Sequence, residues 1–264
     1  MTQQSSFETL IYQRRGAIAE IRFNRPHRLN AVIETFYSEL LQAFDAAEAG
    51  ADVRVILLTG EGRAFCVGAD LKEHGKAERS AQQQRDYLVL GNAVCQRIQT
   101  SPKPVVAAVN GFAAGAGAEM AISADFLLMK ESALLWLPEV SIGTFVGGGV
   151  SGLLPRLVGL AKARELIMTG RRIDGREAAA MGLAVRCFAD GDFEAEVQAY
   201  AESLAQKAPL SLRFAKEHLN DAGRSMETRL ITELEALRAC MVTQDWQEGV
   251  DAFAEKRTPV FRGR

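Results

Sequence analysis

The 264-residue sequence has little of what several large classes of protein require. Its four cysteines, Cys66, Cys95, Cys187 and Cys240, are scattered with no C-x-x-C pair, which indicates neither a disulfide framework nor a zinc site and predicts reduced, structural thiols. The three histidines, His27, His74 and His218, have no second His or Cys at ligand spacing, so no metal is expected. No apolar run reaches the roughly 18 residues that a membrane span needs. The opening Met1-Thr2-Gln3-Gln4-Ser5-Ser6 lacks a basic n-region and an Arg-rich presequence, and a cytoplasmic location is the expectation. Charge of one sign is missing too: 31 Lys and Arg stand against 33 Asp and Glu, and no basic, aromatic-studded stretch suggests a nucleic-acid partner. G-x-S-x-G, H-E-x-x-H and G-x-x-x-x-G-K-[ST] are absent, which removes the commonest local signatures of esterases, zinc proteases and P-loop enzymes.

What is present is an ordinary globular mixture, 48% hydrophobic and 24% charged, long enough for one large domain or one domain with an appendage. Ala17, Ala19, Ile21 and Phe23 alternate with polar neighbours and predict a strand. Phe36, Leu40, Phe44 and Ala47 recur at helical spacing and predict a helix over 34–49 with Gly50 behind it. A strand over 53–58, a helix over 80–100 and a strand over 105–109 come next, the β-α-β-α order of a parallel sheet. A short helix at 115–124 leads to apolar segments at 126–129 and 133–136. Asp174 with Glu177 matches a capping box, Gly182 should stop that helix, and 185–188 reads as a last strand. Beyond that only helical patterns remain, over 194–207, 210–221 and 226–257, the last broken around 243–245. The expected organisation is therefore an α/β core over 1–192 and a helical region over 193–264, able to fold back as a lid or to dock on a neighbouring subunit.

Chemistry points to two stretches almost without charge. Between 104 and 124 the only ionisable side chain is Glu119, and between 132 and 155 it is Glu139. A carboxylate in low dielectric is destabilised by several kcal/mol unless it is hydrogen-bonded or protonated. A structural turn-capping role would explain either one, but two in one chain favour function. Gly111, Gly115 and Gly117 precede Glu119, and Gly143, Gly147, Gly148 and Gly149 come after Glu139. A helix opening near Gly115 would aim free amides at a negative oxygen; the plainer role of such glycines is close packing of helix on sheet. Gly115-Ala116-Gly117 is only part of a dinucleotide fingerprint, since Met120 takes the third glycine's place. In the loop over 62–71, Cys66 is discounted as a nucleophile for want of a nearby histidine, and Asp70 reads as a helix cap.

The ordered blocks Asn24-Arg25-Pro26, Leu29-Asn30-Ala31, Ala64-Phe65-Cys66-Val67-Gly68-Ala69-Asp70-Leu71, Lys103-Pro104-Val105, Asn110-Gly111-Phe112-Ala113, Gly117-Ala118-Glu119 and Leu137-Pro138-Glu139 resemble the enoyl-CoA hydratase/isomerase (crotonase) superfamily. Pro155-Arg156-Leu157-Val158-Gly159, Leu166 to Gly170, Ala178 to Ala184 and the ending Phe253-Ala254-Glu255-Lys256-Arg257 to Arg264 extend the likeness over about 10–264. The resemblance implies an α/β fold, a spiral of ββα units with a C-terminal helical trimerisation region, assembled as a homotrimer or homohexamer. It implies an acyl-CoA substrate with no other cofactor; the balanced charge and the lack of a long apolar run add the expectation of neither a nucleic-acid nor a membrane partner. By position, the amides of Ala69 and Ala116 would form an oxyanion hole, and Glu119 and Glu139 fall where hydratases carry their two acids. Adenine would lie along the backbone of Ala64 to Ala69 and the phosphates near His27 and Arg28, with Ala64, Phe65, Cys66, Gly68, Asp70 and Leu71 among the CoA-binding residues. Phe253 and Lys256 would reach the nucleotide from the C-terminal helices, although a solvated surface lysine is the commoner case. Trp136 and Phe145 would shape the acyl pocket. The chain departs from the family pattern at Ala116, a common glycine, at Val67, and at Thr144-Phe145-Val146-Gly147, where many hydratases have a Pro-Gly turn. The resemblance implies hydration of a 2-enoyl-CoA; the alternatives are a Δ3,Δ2-enoyl-CoA isomerase, a thioester hydrolase, a hydratase/lyase, or a non-catalytic acyl-CoA-binding subunit.

Overall fold

The computed structural model describes residues 7–74, 80–221 and 223–264. A hairpin opens the fold: β1 (Leu10–Arg15) turns through Gly16, at φ 60°, into antiparallel β2 (Ile18–Phe23), in the register Leu10 opposite Phe23. Helix α1 (Glu34–Ala49) then turns Phe36, Leu40, Phe44 and Ala47 inward, the stripe that its periodicity predicts.

Three strand pairs come next. β3 (Val55–Gly60), β5 (Val105–Val109) and β7 (Phe126–Lys130) enter one sheet, while β4 (Ala64–Cys66), β6 (Phe112–Ala114) and β8 (Leu134–Trp136) enter a second. The helices after each pair are α2 (Leu71–His74) with α3 (Ala81–Thr100), then α4 (Ala116–Ile122), then α5 (Val150–Thr169). Each turn of the chain thus gives one strand to each sheet before its helix, which makes the fold a spiral of ββα units. The second sheet is closed by β9 (Ile173–Asp174), antiparallel to β8. After α6 (Gly175–Ala180), β10 (Arg186–Phe188) completes the first, parallel to β7. Strand order is β1-β2-β3-β5-β7-β10 in the large sheet and β4-β6-β8-β9 in the small one.

The central strands are apolar but for Thr59, which donates to the Ala108 carbonyl, because both faces are covered: every residue of β3 and β5 is buried. One face meets the main core, where Phe23 packs edge-on against Phe36 and Phe65 at 5.0 and 4.9 Å. The other, with Ile18, Val55, Leu57, Val106 and Leu128, lies under Phe193, Val197 and Ala201 of α7 (Phe193–Ala205). Beyond it run α8 (Pro209–Asn220), α9 (Met226–Met241) and α10 (Gln244–Glu255). The expected break around 243–245 is present: Thr243 caps α10, accepting from the Trp246 amide at 3.1 Å. Lys216 pins α8 to the core, donating to Asp125 Oδ2 at 2.7 Å and to the Ile98 carbonyl at 2.8 Å. On α9, Met226, Leu230, Ile231, Leu234, Leu237 and Met241 are all exposed. Among the described residues no helix is long and apolar enough to cross a membrane.

Three local expectations need correction. The Asp174–Glu177 box is one-sided: Asp174 accepts from the Glu177 amide at 2.8 Å, but the Glu177 carboxylate turns to Arg171, a charge-assisted bond that outweighs a neutral one. β1 precedes the predicted first strand, its alternation masked by Gln13, Arg14 and Arg15 at an exposed edge. The twenty-residue α5 has no counterpart in the sequence reading, because Gly152, Pro155 and Gly159 interrupt it; at Gly159 the backbone leaves helical geometry, with φ 77° and ψ 157°.

Candidate active site

β6 and β8 are parallel neighbours, Ala114 opposite Trp136, and each leads directly into a segment bearing one of the two isolated acids. β6 runs into Gly115, whose φ 51° and ψ −127° suit glycine alone, and then into α4 with Glu119 in its first turn. β8 runs through Leu137 and Pro138 into a single 3-10 turn, Glu139–Ser141. A methyl group on Gly115 would lie 3.2 Å from Glu139 Oε1, so the Glu139 carboxyl sits over the N-terminus of the helix that bears Glu119.

The two carboxyls have different surroundings. Glu139 is 6% exposed and its buried Oε2 has no hydrogen-bond partner among the described residues; burial pushes its pKa up to about 7, and the charge of Glu119 adds to the rise. Glu119 is half-buried and accepts from the Gly147 amide at 2.5 Å. Burial raises its pKa as well, while that amide pulls the other way. One carboxyl favours its neutral form; the other has a donor that favours its anion.

Beside them lie two free amides. Val32 bridges Ala69: its amide donates to the Gly68 carbonyl at 2.8 Å and its carbonyl accepts from the Asp70 amide at 2.9 Å, which leaves the Ala69 amide directed away from Val32. A Cβ on Gly68, at φ 83°, would lie 2.9 Å from the Ala114 carbonyl and 3.3 Å from the Ala116 nitrogen. The Gly68–Ala69 turn is thus pressed against the start of α4, where Ala116 is the first helical residue. Among the described residues neither the Ala69 nor the Ala116 amide has a hydrogen-bond partner. Ala116 is not at positive φ, so alanine there needs no strained backbone. Gly111 and Gly117 serve close packing: a Cβ would come within 2.1 Å of the Arg63 carbonyl oxygen and 1.9 Å of that of Cys66.

The other expected site residues divide. Ala64, Phe65 and Cys66 form β4 with their side chains buried, leaving main chain as what they could offer a ligand, and burial holds the Cys66 thiol up at about 12, as befits an inert cysteine. Asp70 accepts from the Glu73 amide at 3.3 Å, the expected cap, and also faces Arg25 and Arg28 at 3.3 and 3.4 Å. Burial alone would raise its carboxyl, but that amide and the guanidinia hold it below its ordinary value. Arg28 also pairs with Glu73 at 3.1 Å; its neighbour His27 is exposed, as is Leu71. Phe253 stands on α10 in a cleft lined by Leu210, Trp246, Val250 and Phe261, and Lys256 ends that helix at φ 56°. Trp136 packs edge-on to Phe112, with Arg172 4.6 Å above its ring, and Phe145 is 68% exposed ahead of Gly147. The sequence reading missed Asn92 and Gln99 of α3, which hold Gly148 on both its backbone groups. Their spacing of seven, two helical turns, was the signal available.

A buried carboxyl that holds its proton and a half-buried one whose anion has an amide donor, next to two main-chain donors, can polarise a carbonyl, stabilise negative charge on its oxygen and move protons at neighbouring carbons. The model of the enoyl-CoA hydratase/isomerase family matches residues 13–264. A relative from Thermus thermophilus is 40% identical over 256 residues, 96% of this chain and 100% of that one. The short-chain-enoyl-CoA hydratase of Clostridium acetobutylicum is 33% identical over 250 residues, 94% of this chain and 95% of the relative. The crystal structure of enoyl-CoA hydratase from Bacillus anthracis superposes with a TM-score of 0.93 at 34% identity, over 97% of this chain and 100% of that one.

Proposed function

The chain belongs to the enoyl-CoA hydratase/isomerase family of the crotonase superfamily, and on that premise we propose that it adds water across the α,β double bond of a 2-enoyl-CoA thioester. The observation that carries this reading is the contrast between Glu139, buried and with Oε2 unpartnered, and Glu119, bonded to the Gly147 amide, beside the free amides of Ala69 and Ala116.

In the proposed reaction the thioester oxygen accepts from the Ala69 and Ala116 amides, each worth about 3–4 kcal/mol to the transition state. A water lies between the carboxyls. Glu119 takes one of its protons as its oxygen bonds to Cβ, and the π electrons move toward the thioester oxygen as an enolate. Protonated Glu139 then delivers a proton to Cα. Water is consumed, nothing is oxidised or reduced, and one proton passes from Glu119 back to Glu139 before the next cycle. Coenzyme A is part of the substrate and no further cofactor takes part. An isomerase that carries one proton between two carbons needs one carboxyl; the pairing of two supports hydration.

For the CoA end, the reading keeps the backbone of Ala64 to Ala69 for adenine and His27 and Arg28 for phosphates, with Arg28 shared between them and its acids Asp70 and Glu73. The exposed apolar stripe of α9 supports assembly of the chain as a trimer or hexamer through the helical region 193–264, which would let Phe253 and Lys256 of one subunit approach the nucleotide on another.

The test is incubation with crotonyl-CoA, following loss of the conjugated-thioester absorbance together with free thiol. Bleaching without thiol release is expected, and Glu119→Gln and Glu139→Gln should each lower kcat at least about 100-fold. Thiol release would identify a hydrolase, and binding without turnover a non-catalytic subunit.

A further inference from the structure

Between the Glu119 carboxyl and helix α3 lies a turn of three consecutive glycines, Gly147-Gly148-Gly149. Such a segment has the largest conformational freedom a chain can have and no side chain of its own to fix it. Yet, among the described residues, the turn carries the one amide that bonds the Glu119 carboxyl. We propose that Asn92 is a positioning residue for the hydration described above: by holding Gly148 it aims the Gly147 amide at Glu119.

Asn92 Oδ1 accepts from the Gly148 amide at 3.0 Å; since a backbone N–H only donates, the orientation of the Asn92 amide is fixed. One residue earlier, Gly147 donates to Glu119 Oε1 at 2.5 Å, so consecutive amides are anchored, one to the helix and one to the acid. The carbonyl of Gly148 accepts from Gln99 Nε2 at 3.3 Å, and the same nitrogen reaches Ser123 Oγ at 3.4 Å. Gly148 itself, at φ 61°, is pressed so closely on α3 that a Cβ would lie 2.6 Å from Cys95 Sγ. Asn92, Cys95 and Gln99 are one face of α3 at spacings of three and seven, and that face is the seat of the turn. A Cβ on Gly147 would lie 3.5 Å from Asn92 Oδ1 and 3.2 Å from Glu119 Oε2, which brings Asn92 and the acid together against the same face of one glycine. Asn92 is exposed, so no packing demand accounts for it.

The turn also sets the charge state of Glu119. The titratable groups on neighbouring elements that feel the Glu119 charge are Glu139, Tyr37, Cys66 and Cys95; the two thiols are pushed up to about 12 and the Tyr37 hydroxyl also rises, so these three stay neutral through the working range. The Gly147 amide favours the anion, and a turn that wanders withdraws that help, raising the pH at which Glu119 becomes a base.

The proposal rests on the hydratase reading, and its test separates the two. Asn92→Ala and Asn92→Asp are compared with wild type for crotonyl-CoA hydration across pH, and for backbone amide exchange in the peptide spanning 144–150. Asn92→Ala should lower kcat about tenfold with KM within about twofold, move the acid limb of the kcat profile to higher pH, speed exchange in that peptide at least about fivefold and leave Tm unchanged. Asn92→Asp keeps an acceptor for Gly148 and should hold plateau kcat within about threefold. A wild-type protein that hydrates enoyl-CoAs while Asn92→Ala matches it in kcat and acid limb overturns the positioning role, as does Asn92→Asp losing as much as Asn92→Ala. A wild type without hydratase activity overturns the reading of function instead, while unchanged exchange in Asn92→Ala removes the hold on the turn whatever the activity.

Discussion

Raising the pH titrates the acid without touching the protein. Glu139 is held at about 7 by burial and by the neighbouring Glu119, well above an ordinary glutamate. A raised carboxyl keeps its proton at lower pH and loses it as pH climbs through that value. If Glu139 donates to Cα, kcat/KM must fall on the alkaline side. The protonated fraction drops from about 0.9 at about pH 6 to about 0.01 at about pH 9, and kcat/KM should drop roughly 100-fold with it. The acid side is governed by Glu119, which must be ionised and whose pKa is also raised, so activity should fall away below the optimum too. The assay is the bleaching of crotonyl-CoA in constant-ionic-strength buffers, with free-enzyme groups read from kcat/KM. In Glu139→Gln the alkaline limb should disappear and the remaining rate lie at least about 100-fold below the wild-type optimum. A kcat/KM that rises through pH 7 would show Glu139 acting as a carboxylate, with the two roles exchanged. A flat profile to pH 9, or an alkaline limb surviving in Glu139→Gln, would refute the assignment of the acid.

Gly117→Ala would drive a methyl to within 1.9 Å of the Cys66 carbonyl oxygen, main chain that can yield only by moving α4 and the Ala116 amide with it; kcat/KM should fall about 100-fold and urea unfolding show a loss of about 1–3 kcal/mol. Lys216→Met leaves Asp125 buried opposite an apolar chain and should lower stability by about 3–5 kcal/mol in the same measurement, while a double change with Asp125→Asn recovers much of the loss, since the carbonyl oxygen of the introduced amide can still accept from the Val105 amide. Leu234→Asp on the exposed face of α9 should lower the oligomeric mass seen by sedimentation while leaving the monomer's circular dichroism unchanged; an unaltered mass would place the assembly interface elsewhere.

Much of this fold and site is legible in the residues alone, for identifiable reasons. Glu119 and Glu139 stand out because a charge in an otherwise apolar stretch is costly and therefore rare. α1, β5 and the break before α10 carry strong periodicity or caps. The three-residue strands of the small sheet are too short to show a period, and α5 hides its helix behind Gly152, Pro155 and Gly159. Contacts across long stretches of chain were beyond reach: Asn92 meets Gly148 over 56 residues, and Arg28 meets Asp70 and Glu73 only because the 3-10 turn Pro26–Arg28 folds beside the start of α2. Family resemblance supplied the proposal that the Ala69 and Ala116 amides form an oxyanion hole, since main-chain donors leave no mark on residue identity.

That β6 and β8 are adjacent rungs of one ladder has a wider reach. The chain segments behind the two acids start out about 4.8 Å apart, a separation fixed by backbone hydrogen bonding rather than by loops. In the proposed reaction the groups that greet the enolate are peptide nitrogens, which point substitution leaves in place, and the groups that shuttle protons are single side chains, open to exchange. On such a scaffold evolution can swap the proton chemistry one residue at a time and inherit the reactive intermediate intact, so new reactions can arise without the old stabilisation ever being dismantled.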